Sequence, residues 1–286
     1  MSQANGISST TDTKLLVFSD LDGSLLDHDT YDWQPARPAL DALRKRDIPL
    51  ILVSSKTLAE LEDYRSQLGL QHPVVAENGA AMHIPAEYFP TSTTPLPGTV
   101  TRAQLQSAYK TIKLANAFNC EAFYELGVAG IIRETGLTKQ QAIRANDRKA
   151  SEPILWLDSD ERAAKFEQEL NALGLHCIKG GRFLHLMGNT GKDRAVRHLL
   201  DAYSHKWPSN ALLSVSLGDG PNDLGMLATT DIAVIIPGKH KHRMTLNAQN
   251  RILRPTSPGP AGWNEAMLTL LAEQLDNSPT AHSNGE

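Results

Sequence analysis

Residues Asp20-Leu21-Asp22-Gly23-Ser24-Leu25 put two carboxylates two positions apart, directly after the apolar run Leu15-Leu16-Val17-Phe18. Like charges at that spacing repel, and the end of a buried strand is sheltered from water, so ionising both is costly unless a cation offsets it. A second cluster has the same design: Gly218-Asp219-Gly220-Pro221-Asn222-Asp223 follows the apolar run at 212–217. Carboxylate oxygens suit Mg²⁺, which keeps several waters and works with substrate phosphate, and neither cluster offers the His or Cys that zinc prefers. Ser54 follows the apolar residues 50–53 and could donate to a phosphate oxygen. Lys192 ends Gly188-Asn189-Thr190-Gly191-Lys192 and could neutralise phosphate as a point charge. Taken singly, an Asp-Gly pair reads as a turn, a serine as a cap and a lysine as solvated surface. Their common position at strand ends favours phosphate chemistry with a divalent metal.

Such residues work together only if the elements that carry them end at one edge. Residues 15–19, 50–53 and 73–76 read as strands, and 35–46 and 57–68 read as helices with apolar residues on one face. This βαβαβ rhythm predicts a parallel sheet with right-handed crossovers, whose carboxyl edge binds ligands. The rhythm breaks where Pro85, Pro90, Pro95 and Pro97 crowd together. Helices are expected at 102–118, 138–148 and 161–173, and short strands at 154–157, 176–179 and 183–187, as in a compact α+β insertion. After Gly191 the first rhythm resumes: a helix at 193–203, strands at 212–217, 232–236 and 252–253, a short helix after Pro221 and a last helix at 260–275. The expected fold class is therefore α/β, a Rossmann-like parallel-sheet core with an inserted α+β domain. The core takes 14–85 and 189–275, the insertion takes 86–188, and 1–13 and 276–286 are disordered tails.

Composition narrows the function classes. The chain has 286 residues, 41% hydrophobic and 21% charged, with a net charge of −4, which gives no basic surface for nucleic acid. No apolar stretch approaches the roughly 20 residues of a membrane span. The polar start lacks the apolar segment of a secretory signal. Two cysteines, Cys120 and Cys177, are too few for a disulfide framework, so a reduced, cytoplasmic protein is expected. Several decoys fail on spacing. Gly188–Lys192 lacks the P-loop pattern, with Asp193 where Ser or Thr should stand, and a calcium loop starting at Asp20 would have Tyr31 at its twelfth position.

Asp20-x-Asp22-Gly-Ser-Leu, then Ser54, Lys192 and Gly218-Asp219-Gly-Pro-Asn222-Asp223, resembles the four-motif series of haloacid-dehalogenase-superfamily phosphatases. The gap between Ser54 and Lys192 falls where the cap of the sugar-phosphatase branch is inserted. Within that superfamily, Asp27-His28-Asp29-Thr30-Tyr31-x-Trp33, Ala36-Arg37-Pro38, Ser54-Ser55-Lys56-Thr57 and Glu77-Asn78-Gly79 are similar to the mannosyl-3-phosphoglycerate phosphatase family. So are Thr135-Gly136-Leu137, Arg148-x-x-Ser151-Glu152-Pro153 and Gly180-Gly181-Arg182-Phe183-x-His185. Ser24 stands where the superfamily usually has Thr and keeps the hydroxyl. Asp193 stands where Gly often follows the motif lysine.

The resemblance implies Asp20 as nucleophile, Asp22 as acid and then base, and Mg²⁺ held by Asp20, the Asp22 backbone carbonyl and Asp219, with Asp223 close by. It also implies Ser54 and Lys192 on the phosphate. Its implied substrate contacts are Ser55, Lys56, Glu77, Asn78 and Asn222. In the cap, Arg148 and Arg182, with Arg133 behind them, are the expected carboxylate receptors, and Ser151, Glu152 and His185 would meet hydroxyls. The implied partner is a small phosphorylated glycosylglycerate, mannosyl or glucosyl, whose dephosphorylated product is a compatible solute. The protein would be a monomer or homodimer. A broader sugar phosphatase (sucrose-phosphatase-like), a phosphomannomutase and a non-catalytic sugar-phosphate-binding regulator are the other readings, and the intact Asp20–Asp22 pair speaks against the last.

Overall fold

A computed structural model of the chain describes residues 13–89, 96, 98–180, 182–238, 244–246 and 250–276. Of the tails expected at 1–13 and 276–286, residues 1–12 and 277–286 lie outside the described residues, as do Pro90, Pro95 and Pro97 of the proline-crowded stretch. The elements follow in chain order. The first are β1 (Thr13–Ser19), α1 (Arg37–Lys45), β2 (Leu50–Val53), α2 (Leu58–Leu68), β3 (Val74–Ala76) and β4 (Ala81–His83). Next are α3 (Arg102–Asn116), β5 (Cys120–Ala122), α4 (Phe123–Thr135), α5 (Lys139–Asn146), β6 (Ser151–Trp156), α6 (Asp160–Ala172), β7 (His176–Gly180) and β8 (Phe183–Met187). The chain continues with α7 (Lys192–Lys206), β9 (Ala211–Gly218), α8 (Leu224–Leu227), β10 (Ile232–Ile235), β11 (Arg251–Leu253) and α9 (Gly259–Asp276). Thr13 opens β1 and Asp276 closes α9, each one residue inside a segment expected to be tail.

Seven strands form one sheet in the order β11-β10-β9-β1-β2-β3-β4. Every pair is parallel except β3 with β4. Strand β1 lies in the middle because its side chains from Leu16 to Ser19 are buried on both faces, which an unbroken apolar run permits. On one face Val17, Leu52, Val215 and Val234 pack with α1 and α9 residues such as Leu40, Trp263 and Leu270. On the other, Leu16, Phe18, Ile51 and Val53 pack with Val196, Leu199 and Tyr203 of α7. Register decides what emerges together. Ser19 pairs with Leu217 on one side and with Leu52 on the other. The residues after β1, β9 and β2 therefore leave the same edge.

The other four strands form an antiparallel sheet in the order β5-β6-β8-β7. Leu105, Tyr109, Phe166 and Leu170 of α3 and α6 cover it. The reading of the sequence missed β4, β5 and α4. Helix α4 runs Phe-Tyr-Glu-Leu-Gly-Val-Ala-Gly-Ile-Ile, with little polar face to mark a 3.6-residue period, and it breaks at Gly127 (φ 59°). Strands β4 and β5 have three residues each, too short to alternate legibly. Among the described residues, no helix is long and apolar enough to cross a membrane. Cys120 and Cys177 are both free thiols.

Candidate active site

Asp20 is the first residue past β1, 5% exposed, and its backbone N–H is tied to the Leu217 carbonyl at 2.9 Å. The chain then folds tightly on itself: Gly23 N–H donates to the Leu26 carbonyl and Leu26 N–H to the Leu21 carbonyl. Gly23 sits at φ 81°, in the left-handed region glycine favours, and a Cβ there would fall 2.3 Å from Asp219 Oδ2. This turn and the one after β9 therefore meet with no room for a side chain at 23. Carboxylate oxygens of Asp20, Asp219 and Asp223 lie within 4.8 Å of one another.

Lys192, the first residue of α7, enters this cluster from behind. Its Nζ donates to Asp20 Oδ1 at 2.5 Å and to Asp223 Oδ1 at 2.7 Å, with both partners buried. The other oxygen of Asp223 accepts from the backbone N–H groups of Asp219 (3.2 Å) and Gly220 (3.0 Å), which fixes the turn. Three carboxylates thus face one ammonium. Burial raises the pKa of Asp20 well above its ordinary value, and Asp223 and Asp219 add to it against the pull of Lys192. Burial, then Asp223, pushes Asp219 up to about 6. Burial alone would lower Lys192, but Asp20 and Asp223 more than reverse this, so it stays cationic. The residual negative charge, and an oxygen-only donor set open to water at half-buried Asp219, fit a divalent hard cation such as Mg²⁺.

Asp22 is not in that cluster. Its carboxylate turns to Lys56, with Nζ–Oδ1 at 2.9 Å. The two carboxylates of one tripeptide are therefore separated in role by direction. Ser54 is 1% exposed after β2. Its backbone N–H donates to the Val75 carbonyl, its carbonyl accepts from Asn78 N–H, and its hydroxyl accepts from Lys56 N–H at 3.2 Å. Asn78, at φ 56°, has a buried side-chain oxygen with no partner among the described residues. Asn222 lies half-buried on the turn after β9.

The remaining expected contacts separate into groups. Glu77, fully buried, accepts from the N–H groups of Lys149 (2.8 Å) and Ala150 (3.1 Å) and from the Ser151 hydroxyl (2.6 Å). It joins the end of β3 to the start of β6, a junction that sequence reading assigned to substrate. Arg148 is spent in the same junction: Nε donates to the Ala145 carbonyl and Nη1 to the Ser55 carbonyl and Ser151 Oγ. Glu152 is saturated inside the smaller unit by Arg102, Gln106 and the Tyr124 N–H. Arg133 is exposed and paired with Glu134, and exposed Arg182 donates to the Glu134 carbonyl. His185 is buried with Nδ1 unpartnered among the described residues, and burial, with Arg148 adding, lowers its pKa to about 3. Asp20, Lys192, Asp219 and Asp223 thus come together, whereas Glu152, Arg133 and Arg182 bond to other partners. Tyr31 and Tyr64, whose rings flank Lys56, were singled out for no role in the sequence. Only the lysine between them in the fold marks them.

The profile of the haloacid dehalogenase-like hydrolases matches residues 17–242. Among solved structures, the chain is similar to a phosphatase of the haloalkanoate superfamily from Bacteroides thetaiotaomicron, with TM-score 0.64, 17% identity, and 94% of this chain and 99% of that one covered. It is similar to protein 0175 of Thermoplasma acidophilum, with TM-score 0.63, 16% identity, and 90% and 98% coverage. It is also similar to the sucrose-phosphatase of Synechocystis sp. PCC6803, solved with sucrose and phosphate, with TM-score 0.59, 17% identity, and 90% and 98% coverage. At these identities the likeness is one of fold.

Proposed function

The chain belongs to the haloacid dehalogenase-like hydrolases, and from that premise we propose that it is a Mg²⁺-dependent phosphatase of a glycosyl-3-phosphoglycerate, mannosyl or glucosyl. The observation that carries the hydrolytic part is the opposed direction of two neighbouring carboxylates. Asp20 lies in the buried anionic cluster with Lys192, while Asp22 points to Lys56 on the open side. A carboxylate oxygen of Asp20 attacks phosphorus as the bond to the leaving oxygen breaks, giving an aspartyl phosphate. Asp22 donates its proton to that leaving oxygen. It then takes a proton from the water that attacks phosphorus and releases Asp20. Only the unesterified carboxylate can serve both transfers. Lys192 offsets repulsion between Asp20 and the phosphate, and the Ser54 hydroxyl donates to a phosphate oxygen. Asp20, Asp219 and the Asp22 backbone carbonyl would hold Mg²⁺, with Asp223 close by, and the ion would supply charge neutralisation at the phosphoryl oxygens.

The substrate assignment rests on the motifs shared with the mannosyl-3-phosphoglycerate phosphatase family. It divides the chain into a core of 14–85 and 189–275 and a cap of 86–188 that selects the leaving group. The test is phosphate release, with Mg²⁺, from both glycosyl-3-phosphoglycerates against a panel of plain sugar phosphates that includes sucrose phosphate. A marked preference for the glycosyl-3-phosphoglycerates is expected. Efficient cleavage of sucrose phosphate alone would instead favour the reading suggested by the Synechocystis likeness. Phosphate release by Asp20→Asn at the rate of the parent would overturn the nucleophile assignment.

A further inference from the structure

Beside Asp22 lies a cavity of about 280 Å³ whose lining includes Tyr31, Lys56, Tyr64, Gln141 and Arg144. It lies between the loop after β1, helix α2 and helix α5. Lys56 is its inner wall. An ammonium has three N–H bonds. That of Lys56 meets Asp22 at 2.9 Å and lies 5.0 Å from the Tyr31 ring centroid and 5.9 Å from that of Tyr64. Aromatic faces hold a cation more weakly than a carboxylate does, so an incoming anion can replace them. Burial alone would lower Lys56, but Asp22, then Glu60 and Tyr64, more than reverse this, so the side chain is a cation at neutral pH. The other cations nearby are committed. Arg144 pairs with Asp63, and Arg148 serves the Glu77 junction. Arg133 and Arg182 are exposed and bond to Glu134.

We infer that Lys56 is the receptor for a carboxylate on the leaving group, and that the cavity beside it holds the leaving group's sugar ring against Tyr31 and Tyr64. The inference rests on the proposed role of Asp22 at the leaving oxygen. A proton donor works within about 3 Å of its acceptor. The Asp22–Lys56 contact adds 2.9 Å and the two carboxyl oxygens lie about 2 Å apart, so the ammonium sits within about 8 Å of the leaving oxygen. In a 3-phosphoglycerate that oxygen and the carboxylate carbon are three bonds apart, each about 1.5 Å. A carboxylate bridging from the leaving oxygen to Lys56 therefore fits without moving the core. The cap arginines that the sequence suggested for this task are then unnecessary for it.

The test compares the parent with Lys56→Met and Lys56→Arg on mannosyl- and glucosyl-3-phosphoglycerate and on their primary-amide analogues, which keep the shape and lose the charge. The parent should favour acid over amide by about 10- to 100-fold in kcat/KM, the worth of a hydrogen bond to a charged group. Lys56→Met should abolish that preference, and Lys56→Arg should restore most of it. Because each variant is scored as a ratio on one preparation, a general loss of folding cancels. Equal loss of acid and amide in Lys56→Met, or a parent that does not distinguish them, overturns the inference. Should neither glycosyl compound be cleaved, the substrate reading fails separately. The same ratio is then taken between 3-phosphoglycerate and glycerol 3-phosphate, where a preference that Lys56→Met removes supports the receptor and its absence refutes it.

Discussion

Removing the Glu77 carboxylate should destabilise the protein far more than its position in a loop would suggest. Glu77 follows β3 in the seven-stranded sheet, yet its three donors, Lys149 N–H, Ala150 N–H and Ser151 Oγ–H, come from the first residue of β6 in the other sheet and the two residues before it. Hydrogen bonds to a charged group contribute about 1.5–3 kcal/mol each. Two of the three can be partly replaced, because Lys149 is exposed and can take water, and the Ser151 hydroxyl can rotate. Ala150 is 3% exposed, and its N–H would be left unpaired. Glu77→Ala should therefore lose about 3–5 kcal/mol, a large part of the roughly 5–15 kcal/mol typical of a folded domain. Glu77→Gln keeps one acceptor oxygen and should lose about half as much. Urea unfolding followed by far-ultraviolet circular dichroism measures this directly, with the midpoint falling and the slope preserved. A loss below about 1 kcal/mol in Glu77→Ala would mean that the junction is held by packing, and the reasoning from its hydrogen bonds would be wrong.

Two further outcomes follow from the acidic cluster. Gly23→Ala places a Cβ 2.3 Å from Asp219 Oδ2 at φ 81°, so it should push that carboxylate aside. The Mg²⁺ concentration for half-maximal activity should rise about 10- to 100-fold, as for other changes that disturb a metal ligand's surroundings, and an unchanged Mg²⁺ titration would refute this. Asp219, at about 6, binds its proton more tightly in the folded protein than at the ordinary value of 3.8, so its contribution to stability is full below 3.8 and is lost as pH rises through about 6. In Mg²⁺-free buffer, Asp219→Asn should therefore gain melting temperature relative to the parent across that window. Adding Mg²⁺ should remove the advantage, and parallel pH profiles for the two proteins would count against the raised pKa.

The site's core was legible because strand-end carboxylates leave a compositional mark. An unbroken apolar run, then Asp and Gly, occurs at both Asp20 and Asp219, and the β1–β9 register brings them together. The direction of the Asp22 side chain left no such mark. It depends on Lys56, which arrives from the loop after β2. The charged residues of the four-stranded unit were the least legible, because a charged side chain near a ligand and one inside an ion-pair network have the same composition. Arg148 and Glu152 proved to be internal partners of Ser151 and of Arg102, respectively. Helix α4 escaped for the opposite reason. It is apolar on most sides, so no period marked it.

The Trp263 indole N–H donates to Ser19 Oγ at 2.9 Å, and that hydroxyl donates to the Asp20 carbonyl at 2.7 Å. The residue after β1 is thus braced through Ser19 by a helix residue 244 positions further along the chain. On a ribosome, Asp20 is made early but waits for Lys192, then Asp219, and last for Trp263, whereas the four-stranded sheet draws all its strands from within residues 120–187. The four-stranded sheet can therefore take shape while the seven-stranded sheet is still incomplete. Long-range pairing of this kind is slow to form. During synthesis the chain would carry a finished four-stranded sheet beside an unfinished acidic cluster, which would be braced only once α9 closes beneath β1.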